Sequence, residues 1–172
     1  DGVTLDASGN IYAANTDCDV ILRFPYNSSS STYGTLVAGV NGQGGNTSNK
    51  IDGPVNIAFD NDGNFYISQR DNHRITKWAP GSSEGVLVAG NGGGNALTSL
   101  SNSRDVHIDS NGNYFVSQWI PHRIVKWKPN ATEGELIGGG TNSGNDLGEF
   151  NNIHGIYLDS NNNVYIADTD NH

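Results

Sequence analysis

A five-residue pattern, Asp-x-x-Gly-Asn, returns along this chain at nearly regular intervals and constrains its fold more than any other feature. It occupies residues 6–10, 60–64 and 109–113, and a fourth copy at 159–163 carries Asn162 where the others have glycine. The intervals between the successive aspartates Asp6, Asp60, Asp109 and Asp159 are 54, 49 and 50 residues. A period of about 40–50 residues is that of a propeller blade. Around each copy the sequence resolves into four short strands. Strand a ends at the aspartate, as in Val55-Asn56-Ile57-Ala58-Phe59 and Gly155-Ile156-Tyr157-Leu158. The turn follows, with Gly and Asn tolerating positive φ and Asp capping the turn through its carboxylate.

Strand b is Tyr114-Phe115-Val116-Ser117 and its equivalents, apolar on both sides as expected of a strand covered on both faces. Strand c is Arg74-Ile75-Thr76-Lys77-Trp78, Arg123-Ile124-Val125-Lys126-Trp127 and the weaker Val20-Ile21-Leu22-Arg23-Phe24. Strand d is Thr35-Leu36-Val37-Ala38, Val86-Leu87-Val88-Ala89 and Glu135-Leu136-Ile137, and Gly/Asn-rich loops over 40–54, 91–103 and 140–153 lead to the next strand a. No segment has helical periodicity. The expected fold is therefore all-β, a β-propeller of four-stranded antiparallel blades. The blades fall at 1–54, 55–103 and 104–153, with a partial fourth over 154–172. A closed ring needs at least about four blades. The expectation is that further chain or a second copy completes the ring, and that a chain without Met at position 1 is processed or part of something longer.

The stretch Tyr66-Ile67-Ser68-Gln69-Arg70-Asp71-Asn72-His73-Arg74-Ile75-Thr76-Lys77-Trp78 closely resembles the NHL repeat, named for its Asn-His-Leu signature. Tyr165-Ile166-Ala167-Asp168-Thr169-Asp170-Asn171-His172 matches the same segment, and Phe115-Val116-Ser117-Gln118-Trp119-Ile120-Pro121-His122-Arg123-Ile124 is a weaker copy. In the first unit Asp17-Cys18-Asp19 replaces Asp-Asn-His. The resemblance implies a propeller of typically six blades. Members of that family serve as protein-binding platforms, RNA-binding modules, extracellular adhesion modules and, in some relatives, lyases or hydrolases. Fold alone does not choose among these.

Eighteen acidic residues against nine basic give a net charge of −9, which repels phosphate backbones and anionic membrane surfaces. Nucleic acid is thus not an expected partner, and no apolar run approaches the roughly 20 residues of a membrane helix. Cys18 is the only cysteine, so no internal disulfide forms. Asp60-x-Asp62-x-Asn64 places oxygens at the first, third and fifth positions of a calcium loop, but Phe65 and Asp71 stand where an EF-hand needs Gly and Glu. These turns read as structural caps, and no cofactor is expected.

In a propeller the b–c turns and d–a loops open on one face, the usual ligand face. Trp119, His122 and Arg70 fall in b–c turns, and Arg104 and His154 at the start of strand a, so these five are the ligand-contact candidates. Trp119 offers a ring to a sugar or a partner side chain. His73, His122 and His172 occupy equivalent turns and, by the resemblance, bond to backbone between blades. His107 is expected on the channel wall or against a neighbouring blade. Trp78 and Trp127 end strand c and read as core. The peptide-amidating lyase, a propeller related to this family, holds zinc with channel histidines, which gives the alternative of a metal-dependent lyase or hydrolase around His154. Val55 and Arg104 occupy the equivalent positions of the other blades, and zinc needs three or four converging ligands.

Sequons stand at Asn27, Asn46 and Asn130, the first and last at matching places just past strand c. That shared register points to exposed, N-glycosylated turns. The expected protein is therefore a secreted eukaryotic module. It would bind a protein or glycan ligand, or further copies of the same repeat in an extracellular assembly, and is not expected to be an enzyme.

Overall fold

The structure, a computed structural model, describes residues 2–140 and 142–171. Fourteen strands among these residues fold as consecutive antiparallel meanders. The first sheet is β1 (Val3–Leu5), β2 (Ile11–Asn15), β3 (Val20–Phe24) and β4 (Thr35–Gly39), in that spatial order. The second is β5 (Pro54–Phe59), β6 (Phe65–Gln69), β7 (Arg74–Trp78) and β8 (Val86–Ala89). The third is β9 (Ser103–Ile108), β10 (Tyr114–Gln118), β11 (Arg123–Trp127) and β12 (Glu135–Gly139). A last pair, β13 (Ile153–Leu158) and β14 (Val164–Asp168), begins a fourth. The four-stranded sheets expected from the repeat are present, each strand agreeing with the sequence reading to within about two residues. Among the described residues a single 3-10 turn, Thr16–Cys18, interrupts the β pattern, in the first b–c turn.

The core lies between sheets. Ile21, Ile51, Ile57, Phe65, Ile67 and Trp78 join the first sheet to the second. Tyr66, Ile75, Leu100, Val106, Val116 and Trp127 join the second to the third, and Phe115, Ile124, Ile153 and Ile156 join the third to the last pair. Strands β6 and β10 are buried along their whole length. This follows from their position: each is an inner strand covered on both faces, so no residue has a solvent side. Trp78 and Trp127 are 1% and 2% exposed, as the core reading expects.

The aspartate turns are caps in all four copies. Asp60 Oδ1 accepts from the backbone N–H groups of Asp62 and Asn64 at 3.0 and 2.9 Å, and Asn64 Nδ2 donates to Oδ2 at 2.9 Å. Asp6, Asp109 and Asp159 repeat this arrangement within 0.2 Å or so. With its oxygens committed to its own turn, each carboxylate serves the hairpin.

The d–a loops, Gly/Asn-rich and outwardly loose, are stapled. Arg74 reaches the carbonyls of Asn46, Thr47 and Lys50 at 2.7, 3.3 and 2.9 Å. Arg123 does the same one unit later, to Asn95, Ala96 and Ser99 at 2.6, 2.8 and 3.3 Å. Five donors in a fixed fork suit this task better than a lysine.

Candidate functional site

Strand a of the second, third and last units begins with a β-bulge, whereas β1 pairs with β2 in unbroken register. In the third sheet Ser103 pairs with Gln118 and Val106 with Val116, so Arg104 and Asp105 together oppose Ser117. The last pair repeats this, with His154 and Gly155 opposite Ala167, and the second sheet shifts register between Pro54 and Asn56. A bulge takes a residue out of the ladder and re-aims its side chain. Here the re-aimed residues are those around the inner strands' upper ends. Val55, Asn56, Arg104, Asp105, His154 and Gly155, with Gly2, line a cavity of about 310 Å³ at the mouth of the channel.

Arg104 projects from this mouth over the ring of Trp119, its Cζ 4.4 Å from the ring centroid. Its Nε is buried without a hydrogen-bond partner. Burial and the neighbouring positive charge of Arg70 lower its pKa, opposed by Asp71. Arg70 is held differently: its Nε and Nη2 grip both oxygens of Asp71 at 2.8 and 2.9 Å. That guanidinium holds the Asp71 carboxyl below the usual range despite its burial. A Cβ on Gly53, at φ +54, would strike the Asp71 carboxylate, so only a glycine lets the loop pass beneath this ion pair.

Asp105 is the buried charge of the site. Its Oδ1 accepts from Asn56 Nδ2 and from Val106 N, and its Oδ2 from Ile156 N at 2.8 Å. Burial pushes its carboxyl up, against those donors and nearby His107. One side chain thus ties the second, third and last sheets together around the channel. Serines of strand b complete the seam: Ser68 Oγ bonds Ser103 Oγ at 3.0 Å, and Ser117 Oγ reaches the His154 carbonyl at 3.4 Å.

Arg70, Arg104 and Trp119 are therefore brought together, and His154 lies exposed across the same mouth. His122 stands apart, half-buried, with Nδ1 accepting from Asn152 N at 3.2 Å. His107 lies on the channel wall, Nε2 4.0 Å from Asp105 Oδ2 and edge-on to Tyr157. His172 lies outside the described residues. Asn27, Asn46 and Asn130 are all exposed. Asn27 and Asn130 sit in c–d turns, at the opposite end of the strands from the b–c turns, whereas Asn46 sits in a d–a loop. Among the described residues no group of three or more His, Cys, Asp or Glu side chains is placed to hold a metal ion. Sequence reasoning missed Asp105 and Asn56; the available signal was a charged residue inside the third strand a, where other copies carry Asn56 and Gly155.

The NHL repeat family model matches residues 150–172. No curated protein matches the chain. Solved structures that resemble it include an auxiliary nutrient binding protein from Bacteroides thetaiotaomicron VPI-5482, 18% identical with a TM-score of 0.71, covering 99% of this chain and 45% of that one. A nidogen/laminin complex chain is 16% identical with a TM-score of 0.71, covering 97% of this chain and 56% of that one. The virginiamycin B lyase from Staphylococcus aureus is 11% identical with a TM-score of 0.64, over 97% of this chain and 48% of that one. The chain spans about half the length of these structures. At such identities the likeness is one of fold, the β-propeller, and the NHL repeat match is confined to residues 150–172.

Proposed function

We propose that this NHL-repeat β-propeller is a secreted, N-glycosylated binding module that engages a protein partner through the face carrying the b–c turns and d–a loops. The observation that carries this reading is the channel mouth, where bulges aim Arg104, Asp105 and His154 at a shared cavity beside Trp119. Arg70, Arg104 and Trp119 are the principal contact residues. The sequons Asn27 and Asn130 lie at the other end of the blades, so glycans there leave the binding face clear, whereas a glycan on Asn46 would stand in a d–a loop of that face. A propeller in the nidogen/laminin complex supports a protein rather than a glycan as ligand. The lyase fold supports a catalytic alternative, a metal-dependent site around His154; no converging metal-ligand set among the described residues favours it.

The test is affinity capture from the culture fluid of cells that make the protein. Trp119→Ala and Arg70→Ala are expected to lose the captured partner, while Ser110→Ala in the opposite-face turn keeps it. Equal capture by all three overturns the reading. Intact mass before and after enzymatic removal of N-glycans tests secretion: a drop is expected, and an unchanged mass refutes glycosylation.

A further inference from the structure

We infer that the channel mouth takes a carboxylate from an acidic segment of its protein partner, with the Arg104 guanidinium as the receiving group. The inference rests on the binding face proposed above and names the chemistry that face recognises.

Arg104 has no direct counter-ion among the described residues, Asp71 acting on it only at longer range. Among the described residues its guanidinium has no ion pair and no hydrogen bond, only the Trp119 ring beneath it. Every other guanidinium near the mouth is spoken for: Arg70 by Asp71, Arg74 by loop carbonyls and Gln69. Two carboxylates around the mouth, Asp71 and Asp105, are equally committed. Asp71 is closed by both nitrogens of Arg70, and Asp105 accepts from three donors within the fold. In a chain of net charge −9, Arg104 is thus a partly desolvated cation at the rim of the cavity with no ion pair among the described residues.

Leaving a charge half-desolvated and unpaired is costly, and a carboxylate is its natural partner because the guanidinium fork donates to both oxygens. Trp119 fixes that fork from below, so little side-chain freedom is lost when the ligand arrives. Arg70 does not compete for the ligand, its fork being occupied by Asp71, which also offsets its charge at Arg104.

The same stacking argues against a uronic acid. A pyranose needs an open aromatic face, and one face of Trp119 is covered by Arg104. An Asp or Glu side chain needs only the guanidinium edge. Exposed His154 opposite leaves room for an extended backbone.

The test uses the full chain and a hexapeptide of alternating Glu and Gly, blocked at both ends, followed by tryptophan emission and by NMR of the indole N–H groups. The Gln-for-Glu peptide and a hexagalacturonate serve as comparisons. The Glu peptide is expected to shift the Trp119 signal and to bind at least tenfold tighter than the Gln peptide. Arg104→Met should lose that preference, and Arg104→Lys should keep part of it. Equal binding of the two peptides by the unaltered protein overturns the inference without depending on any variant. So does binding of the galacturonate but not the peptide, or an Arg104→Met protein of unchanged melting temperature that binds the Glu peptide normally. A partner captured through Trp119 and Arg70 but indifferent to Arg104→Met sinks this inference alone; capture indifferent to all three sinks the binding face itself.

Discussion

The imidazole Nδ1 of His122 accepts a hydrogen bond at 3.2 Å from the backbone N–H of Asn152, which lies in the loop leading to the next blade. The same clamp occurs one unit earlier, where His73 Nδ1 faces Asn102 N at 3.5 Å, and in the first unit, where Asp19 Oδ1 accepts from Gly53 N at 3.0 Å. All three clamp residues hold positive φ, between 54° and 58°. The histidine of the repeat is thus an acceptor that fastens the following loop, and a carboxylate at the same backbone angle does the same work.

Replacing the clamp separates its two contributions. His122→Gly relieves the left-handed backbone yet removes the acceptor, and should destabilise by about 1–2 kcal/mol. His122→Asp, which imitates Asp19, should stay within about 0.5 kcal/mol of the parent. Urea unfolding measures both, and a Gly variant as stable as the parent contradicts the clamp.

A second pair of repeats offers an internal control in the core. Trp78 Nε1 donates to Thr76 Oγ1 at 3.0 Å, while the matching Trp127 Nε1 is buried with no partner because Val125 replaces the threonine. Val125→Thr should raise stability by about 1 kcal/mol by satisfying that donor. Thr76→Val should cost more, since it also orphans Gln69 Nε2, which bonds the same hydroxyl at 2.7 Å. Thermal melts of the two variants decide the signs.

The Asp60 turn predicts a pH dependence. Burial raises the Asp60 carboxyl, but Asn64 and Lys77 outweigh it and the net shift is downward. A carboxylate with a lowered folded pKa binds fewer protons when folded, so its stabilisation is present above about pH 4 and fades as pH falls through the folded value. Asp60→Asn should therefore melt lower than the parent at pH 7, with the gap closing below about pH 4. A gap that stays constant down to pH 2.5 refutes the assignment.

Arg123 should be irreplaceable by lysine. Its fork holds three loop carbonyls at once and its Nε donates to Gln118 Oε1 at 2.6 Å. Arg123→Lys is expected to cost about 2 kcal/mol and to speed amide exchange across 91–103. Unchanged exchange there contradicts the staple.

Legibility followed the physics of repetition. The Asp-x-x-Gly-Asn turns, the buried strands β6 and β10 and the tryptophans of β7 and β11 were readable because each recurs in register and each answers a local need. The channel mouth was readable only in outline. That Arg104, Trp119 and Arg70 share a face follows from the turn order, but their stacking depends on a bulge that period-2 patterning does not announce. Asp105 was missed for the same reason, since its partners come from two other sheets. The role of Asp19 was hidden by chemistry: a carboxylate and an imidazole look unlike in sequence, yet offer the same acceptor at the same place.

The most direct test of the binding-face account is hydrogen–deuterium exchange of the glycosylated protein, alone and with its captured partner. Protection confined to 70–73, 102–105, 119–122 and 154–155 is the predicted result. Protection centred on the opposite turns at 60–64 and 109–113, with the channel mouth unchanged, would contradict it.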